Sequence, residues 1–520
     1  MKNKICLLGA LLLMLTFGSC QKDSETLIPY DHTDELAFME AENSFAGKYK
    51  LFWNAMNQNY ALWDYEMEQG LDWDAEYDKF LPQFEELDKN DSVSDDDLKA
   101  LMEKMVEPLH DGHMFVEFKN HKTGEYVMAS PSTLRNAKRS DYINSTDKFW
   151  KKTALAQMGS SLKKGDVLDI YYGSTQTQTA LAHVINGSTR QWLDAEIARL
   201  SAKTLPTEAE VNRLWGLRSL STELSNLFEK TSISQLYAGY NKLVLKYGYL
   251  EVPGLEEINP DIAGFGTGMA VTYALLKGNI VYMYLSDFSL GMYLDTKEYS
   301  EMNLTGYSKQ LAESIQVAWQ KWFDKIQELH NAGTLGGVII DVRCDGGGRY
   351  NDYQYVLGAL LPSGGIVTNQ LRYKRGTARL DYSPLMPQLM PTYPDDHAVV
   401  TEPIVVLADC GSVSMSEITA RGTKLVSNAR LIGKRTWGGL CALNDNSTFS
   451  FNYSGHTGVR EKTPVYIYTP LVATFSMDGE QFEGIGIEPD IEVDLDVNLF
   501  NAKAGDTQLE RALQYIRTGN

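Results

Sequence analysis

Two hydrophobic rhythms run along this chain, and one gives way to the other near residue 274. From Phe45 to about Met105, large apolar residues recur every three or four positions. Phe45, Tyr49, Phe52, Trp53 and Met56 share one helical face, and Leu98, Leu101, Met102 and Met105 share another. Ser94-Asp-Asp-Asp97 supplies a hydroxyl cap and an acidic first turn, so a small helical module is predicted here. After Ala274 the apolar residues come in short unbroken runs instead, at 280–285, 337–341, 404–408 and 429–433. Helical stretches at 311–330, 353–361 and 416–426 alternate with them. Runs that are apolar on both faces, separated by helices, predict an α/β domain with a mostly parallel, buried sheet. Chemistry in such sheets sits at the carboxyl ends of strands, here just after Ile340 and Leu407.

The middle of the chain is less regular. Leu162-Lys-Lys-Gly-Asp-Val-Leu-Asp-Ile-Tyr172 resembles the strand entry of PDZ modules, and 188–232 reads as helical with Leu193, Ile197 and Leu200 as apolar markers. Gly264-Phe-Gly-Thr-Gly268 lacks the Lys-Ser/Thr of a phosphate loop and reads as a turn. At the front, Lys2 and Lys4 precede an apolar run from Ile5 to Phe17 that is short for a bilayer span and fits a signal-peptide core. Leu15-Thr-Phe-Gly-Ser-Cys20 resembles a bacterial lipoprotein cleavage box, which makes Cys20 the expected lipidation site. The following Gln21-Lys-Asp-Ser-Glu25 resembles the export signals of surface lipoproteins in Bacteroides-type bacteria. The expected division is 1–19 signal peptide, 20–45 lipidated tether, 46–124 N-terminal helical module, 125–272 middle module, and 273–520 core. An outer-membrane lipoprotein, on the periplasmic face or the cell surface, is the expected location.

Composition narrows the function. The formal charge is −20 over 520 residues, and no block of Lys or Arg stands out, which argues against nucleic acid as a partner. Of five cysteines, Cys6 lies in the signal segment and Cys20 is the lipidation candidate. Cys344, Cys410 and Cys441 remain, an odd number that forms no paired framework. No Cys-x-x-Cys or His-x-x-x-His spacing occurs, so no metal and no cofactor is expected.

The candidate chemistry lies after two of the buried strands. Pro403-Ile-Val-Val-Leu-Ala-Asp409-Cys-Gly-Ser-Val-Ser414-Met-Ser-Glu417 reads as strand, sharp turn, helix. A serine at that corner has an exposed hydroxyl, a free amide beside it and the positive end of a helix dipole behind it, which suits nucleophilic acyl chemistry. Asp341-Val-Arg-Cys-Asp-Gly346-Gly347-Gly348 follows another strand, and its glycines allow a tight turn that presents N–H groups to a developing oxyanion.

These segments, with Gly433-Lys-Arg-Thr-Trp-Gly-Gly439, Gly484-Ile-Gly-Ile-Glu-Pro-Asp490 and the closing Asp506-Thr-Gln-Leu-Glu-Arg-Ala-Leu, resemble the successive core motifs of the C-terminal processing (tail-specific) peptidases. The resemblance covers about 276–518 plus Leu109–Phe115. It implies a ClpP/crotonase-like α/β core and serine peptidase activity, with Ser414 as nucleophile and the amides of Met415 and of Gly346 or Gly347 as oxyanion donors. The family's general-base lysine, 25 residues after the serine, is replaced here by Gly439. The chain resembles the tricorn-core branch instead, in which a histidine from an earlier segment is the base. Leu109-His-Asp-Gly-His113-Met-Phe matches that segment and nominates His113, with His110 as its rival. A serine precedes the histidine in that branch and relays to a glutamate; here Gly112 takes the serine's place. Glu483 matches the glutamate, and Asp111 is an alternative orienting carboxylate. Lys434 is a Ser/Lys alternative, and Ser412 and Ser416 flank the proposed nucleophile.

The expected function is therefore a lipid-anchored extracytoplasmic serine peptidase that acts on peptides or proteins through an acyl-enzyme. Two other readings remain open: a catalytically inactive binder of peptides or hydrophobic ligands on the same fold, and a glycan-binding role for the aromatic-rich N-terminal module.

Overall fold

The computed structural model describes residues 43–139, 162–175 (except 164), 188–227, 233–255 (except 254), 268–441 (except 377 and 395) and 456–520 (except 459 and 503). The expected signal segment, most of the tether with Cys20, and Gly264 to Thr267 of the Gly-rich segment lie outside these residues. Among the described residues, no helix is long and apolar enough to cross a membrane.

Helices α1 (Phe45–Asn59), α2 (Trp63–Glu68), α3 (Trp73–Asp88) and α4 (Asp95–Val106) form the N-terminal module. Their starts follow from capping. Ser44 accepts from the Gly47 amide, Asp72 from Asp74 and Ala75, and Ser94 from Asp97. The apolar faces read from the sequence turn inward: Phe45, Tyr49, Phe52, Met56, Leu98 and Met102 have no solvent exposure. Tyr49 stacks on Phe84 at 4.8 Å, so this aromatic face is core and not a sugar-stacking surface.

The module continues into β1 (Phe115–Lys119), β2 (Tyr126–Ala129) and α5 (Pro131–Asn136). The middle of the chain supplies β3 (Val167–Ser174), α6 (Ser188–Ser201), α7 (Glu208–Leu227) and α8 (Ile233–Tyr247). The core then follows as β4 (Ala270–Leu276), β5 (Ile280–Leu285), α9 (Leu290–Leu294), α10 (Thr296–Glu301), α11 (Gly306–Asn331) and β6 (Gly337–Asp341). After it come β7 (Ile366–Tyr373), β8 (Met386–Met390), β9 (Ile404–Ala408), α12 (Met415–Thr423) and β10 (Ala429–Gly433). The chain closes with β11 (His456–Thr457), β12 (Val465–Tyr468), β13 (Val472–Phe475), β14 (Ile491–Glu492), α13 (Val497–Asn501) and α14 (Thr507–Thr518).

The central sheet has the order β14-β10-β9-β6-β5-β4-β3. Neighbours from β5 to β14 run parallel, while β3 and β4 are antiparallel additions. Every residue of β5, β6 and β9 is buried, as continuous apolar runs require when helices cover both faces. The expected α/β core with a mostly parallel sheet is what the chain forms.

Three sequence expectations differ from the structure. The PDZ-like segment is the edge strand β3, paired along its length with β4; alternation alone does not say which sheet a strand joins. The boundaries drawn at 124 and 272 fall inside sheets, because β1 pairs with β12 and β3 pairs with β4. The helix read at 353–361 is two short 3-10 turns, Asp352–Tyr355 and Gly358–Leu360.

The β1–β12 pairing positions the site. Phe115 faces Tyr468 in register, which carries the loop just before β1 over to the carboxyl ends of the central strands. A buried ion pair fixes the far side. Arg343, just past β6, bonds Asp341 and Asp506 at 2.6–2.9 Å, and Asp506 caps α14.

Candidate active site

Ser414 is the residue before α12 and has φ +57°, a left-handed backbone conformation that is costly for a side chain with a Cβ. The turn that imposes it is built from its neighbours. Ser412 Oγ–H donates to the Val342 carbonyl (2.7 Å), and Ser416 Oγ–H to the Asp345 carbonyl (2.9 Å). Both flanking serines are fully buried, while Ser414 is half-exposed. Asp409 accepts from the Cys344 and Gly411 amides, tying the end of β6 to the end of β9. Among the three serines, only Ser414 faces solvent.

The glycine loop packs directly on this corner. A Cβ on Gly347 would stand 2.5 Å from Ser414 Cβ and 2.9 Å from the Met415 nitrogen, and its φ is +88°. Only glycine leaves room there. The Met415 amide, at the first position of α12, has no acceptor among the described residues, as expected for a helix start. The Gly347 amide departs from expectation: it donates to Asp345 Oδ1 at 2.8 Å. A carboxylate two residues back captures that donor, whereas the Gly346 amide has no acceptor among the described residues.

His113 reaches the corner from the other end of the chain. It lies in the loop before β1, and its Cε1 is 3.4 Å from where a Gly439 Cβ would be; Gly439 in turn accepts the Ser414 amide at 3.0 Å. Gly439 thus touches both, its Cα packing near the ring and its carbonyl accepting from the serine's amide. The His113 side chain is 12% exposed, and burial pushes its pKa down to about 4, so the imidazole is neutral at pH 7 and able to take a proton. His110 is held elsewhere: its Nδ1 and amide bond Glu66, at 2.7 and 2.8 Å.

Two buried glutamates hold the loops together. Glu483 accepts from the amides of Gly112, Leu440 and Cys441 at 2.6–2.7 Å, and its Oε1 stands 4.0 Å from His113 Nδ1, beyond a hydrogen bond. Asp111 accepts from the His113 and Met114 amides through Oδ1, leaving Oδ2 without a partner. Burial pushes the pKa of both carboxyls up, and the Asp111 charge adds to the effect at Glu483. Glu417, in the first turn of α12, accepts from Thr436, Gly438, Gly439 and Ser414. Sequence reading placed Glu417 at a helix start and missed this second role, which has no local signature: its partners lie about twenty residues on.

Gly112 has no room for a relay serine. A Cβ there would meet the Gly438 carbonyl oxygen at 2.1 Å and Gly439 Cα at 2.4 Å. Lys434 is no base either. It pairs with Glu492 and Asp494 at the surface, and although partial burial pulls the other way, those hydrogen bonds raise its pKa. Cys344, Cys410 and Cys441 are buried and form no disulfide among the described residues.

Residues 290–493, which carry most of the α/β core and the Ser414 corner, match the model of peptidase family S41. A carboxy-terminal-processing protease of Bartonella bacilliformis is 29% identical over 193 residues, 37% of this chain; the chain spans 38% of that relative's length. Among solved structures, a peptidase candidate from Parabacteroides merdae covers 92% of this chain and 98% of its own, at 15% identity and TM-score 0.46. Mature CPAF complexed with lactacystin covers 92% and 99%, at 10% identity and TM-score 0.44. The tricorn protease covers 46% and 18%, at 19% identity and TM-score 0.28. At these scores the likeness adds nothing to the fold seen directly in this chain.

Proposed function

We propose that this protein is a lipid-anchored, extracytoplasmic serine peptidase that cleaves peptides or proteins through an acyl-enzyme. The observation that carries the reading is the convergence at Gly439: a half-exposed serine in a strained helix-entry corner and a neutral imidazole both touch it, and the amides of Met415 and Gly346 have no acceptor among the described residues. Ser414 Oγ attacks the scissile carbonyl as its proton passes to His113. The Met415 and Gly346 amides hold the oxyanion, and helix α12 adds its positive end. Collapse expels the amine, which takes the proton from His113. Water then enters by the same base and frees the acyl group from Ser414.

The anchor is the lipid on Cys20, supported by the basic start, the apolar run and the small residues before that cysteine. A fluorophosphonate probe is expected to label the full chain and to fail on Ser414→Ala. Equal labelling of both removes Ser414 as nucleophile, and globomycin-insensitive processing, with no lipid on Cys20, removes the anchor.

One observation favours the inactive-binder reading. His113 Nδ1 has no hydrogen-bond partner, so nothing fixes the tautomer in which Nε2 is free to act. That reading predicts peptide binding that survives Ser414→Ala and no cleavage by the unaltered chain.

A further inference from the structure

We infer that Asp111, His113 and Glu483 form a binding site for a divalent transition-metal ion, and that the bound ion switches off His113 as a base. One ligand atom from each of these residues lies within 4.8 Å of the other two. The three come from segments about 370 positions apart, which is why no local spacing announced them.

Two independent features point into the space between them. Asp111 is fully buried with Oδ2 lacking any partner, and His113 Nδ1 is buried and equally unpartnered. Glu483 Oε1 stands 4.0 Å from that nitrogen. Buried acceptors almost always find a donor or a cation, because leaving them bare costs on the order of 1–3 kcal/mol each. One imidazole nitrogen and two carboxyls set this close, once they have shed their protons, make a pocket suited to a positive ion. Arg135 interacts electrostatically with Asp111 and Glu483, but its Nε and Nη2 have no hydrogen-bond partner and so reach neither carboxyl.

The donor set decides the kind of ion. One imidazole nitrogen and two carboxylate oxygens suit zinc and its first-row neighbours, whereas magnesium and calcium prefer six or more oxygens. Zinc bonds of about 2.0–2.2 Å place ligand atoms roughly 3.3 Å apart, so the three groups need to close by about 1 Å. The His113 side chain is 12% exposed, which leaves the ring open to an ion from solvent. Metal on Nδ1 leaves the ring's only proton on Nε2, the nitrogen that must be bare to accept the Ser414 proton. The binding claim stands apart from the peptidase reading; the switching consequence rests on it.

Zinc chloride titrated calorimetrically into full-length Ser414→Ala protein tests binding without turnover. The expected result is one equivalent of zinc, removable by EDTA, with affinity at least tenfold weaker in the additional variants Asp111→Asn and His113→Asn, and no uptake of magnesium. No saturable zinc binding, or equal affinity in those variants, overturns the site. If a variant does not melt cooperatively, cobalt(II) in the parent protein decides: a tetrahedral visible spectrum supports the site, and its absence rejects it. On the unaltered chain, zinc is expected to slow fluorophosphonate labelling at least tenfold and EDTA to restore it. Labelling that ignores bound zinc overturns the switch, whereas absent labelling with zinc still bound is a failure of the peptidase reading.

Discussion

Gly112→Ala is the sharpest probe of how the two ends of this chain lock into one site. The added methyl would stand 2.1 Å from the Gly438 oxygen, 2.4 Å from Gly439 Cα and 2.7 Å from the Gly438 carbonyl carbon. Carbon contacts normally settle near 3.5–4.0 Å, so the 438–439 backbone must move by more than about 1 Å. It cannot move freely, because both amides are bound to Glu417 at 2.8 and 2.6 Å. Overpacking a tight site costs about 1–3 kcal/mol. Losing one hydrogen bond to a charged acceptor adds about 1.5–3 kcal/mol. The expected penalty is therefore about 3–5 kcal/mol, taken either as global stability or as displacement of the loop that touches both His113 and Ser414. Thermal melting and fluorophosphonate labelling, measured together, catch both cases. Gly248→Ala is the control, since a Cβ there meets nothing within 4 Å. A Gly112→Ala protein that melts and labels like the parent would show the interlock to be slack and refute the reasoning.

Four further outcomes follow from the same structure. Arg343→Met strands Asp341 and Asp506 in the interior and is expected to lower stability by about 3–5 kcal/mol in denaturant titration; a change below 1 kcal/mol would mean that water reaches the pair. Asp287 is held up to about 7, first by burial and then by the Asp352 charge, against an ordinary carboxyl value near 4. Its folded pKa is the raised one, so its contribution is complete below about pH 4 and fades as pH rises through 7. Asp287→Asn should then match the parent's unfolding free energy at pH 4.5 and exceed it at pH 8, by up to about 4 kcal/mol in denaturant titration; an offset independent of pH contradicts this. Lys434→Ala is expected to leave labelling within about twofold of the parent, because its partners are surface carboxylates; loss of labelling would reinstate a lysine base. Glu417→Gln sets an amide NH2 among backbone donors and is expected to slow labelling at least tenfold with a modest fall in melting temperature, since the residue braces Gly438 and Gly439.

Much of the core was legible because parallel, doubly buried strands write themselves as unbroken apolar runs. The stretches 280–285, 337–341, 404–408 and 429–433 coincide with β5, β6, β9 and β10. The start of α4 was legible for a local reason, the Ser94 cap. Ser414, His113 and the glycine loop were legible as motifs; the structure sets Gly347 against Ser414 and His113 against Gly439. What stayed hidden is what depends on distant partners. Nothing around Leu162–Tyr172 says that β3 joins the edge of the central sheet. Nothing around Glu417 announces its bonds to Gly438 and Gly439, and Asp345's hold on the Gly347 amide emerges only once the loop has closed. The short turns at 353–361 carry apolar spacing like a helix, yet the chain there breaks after four residues and restarts.

The Glu483–Gly112 bond joins positions 371 apart. A ribosome making this protein emits the loop before β1 early and Glu483 late, so the two can be joined only when synthesis is nearly done. The order of the chain thus dates this contact to the last part of synthesis.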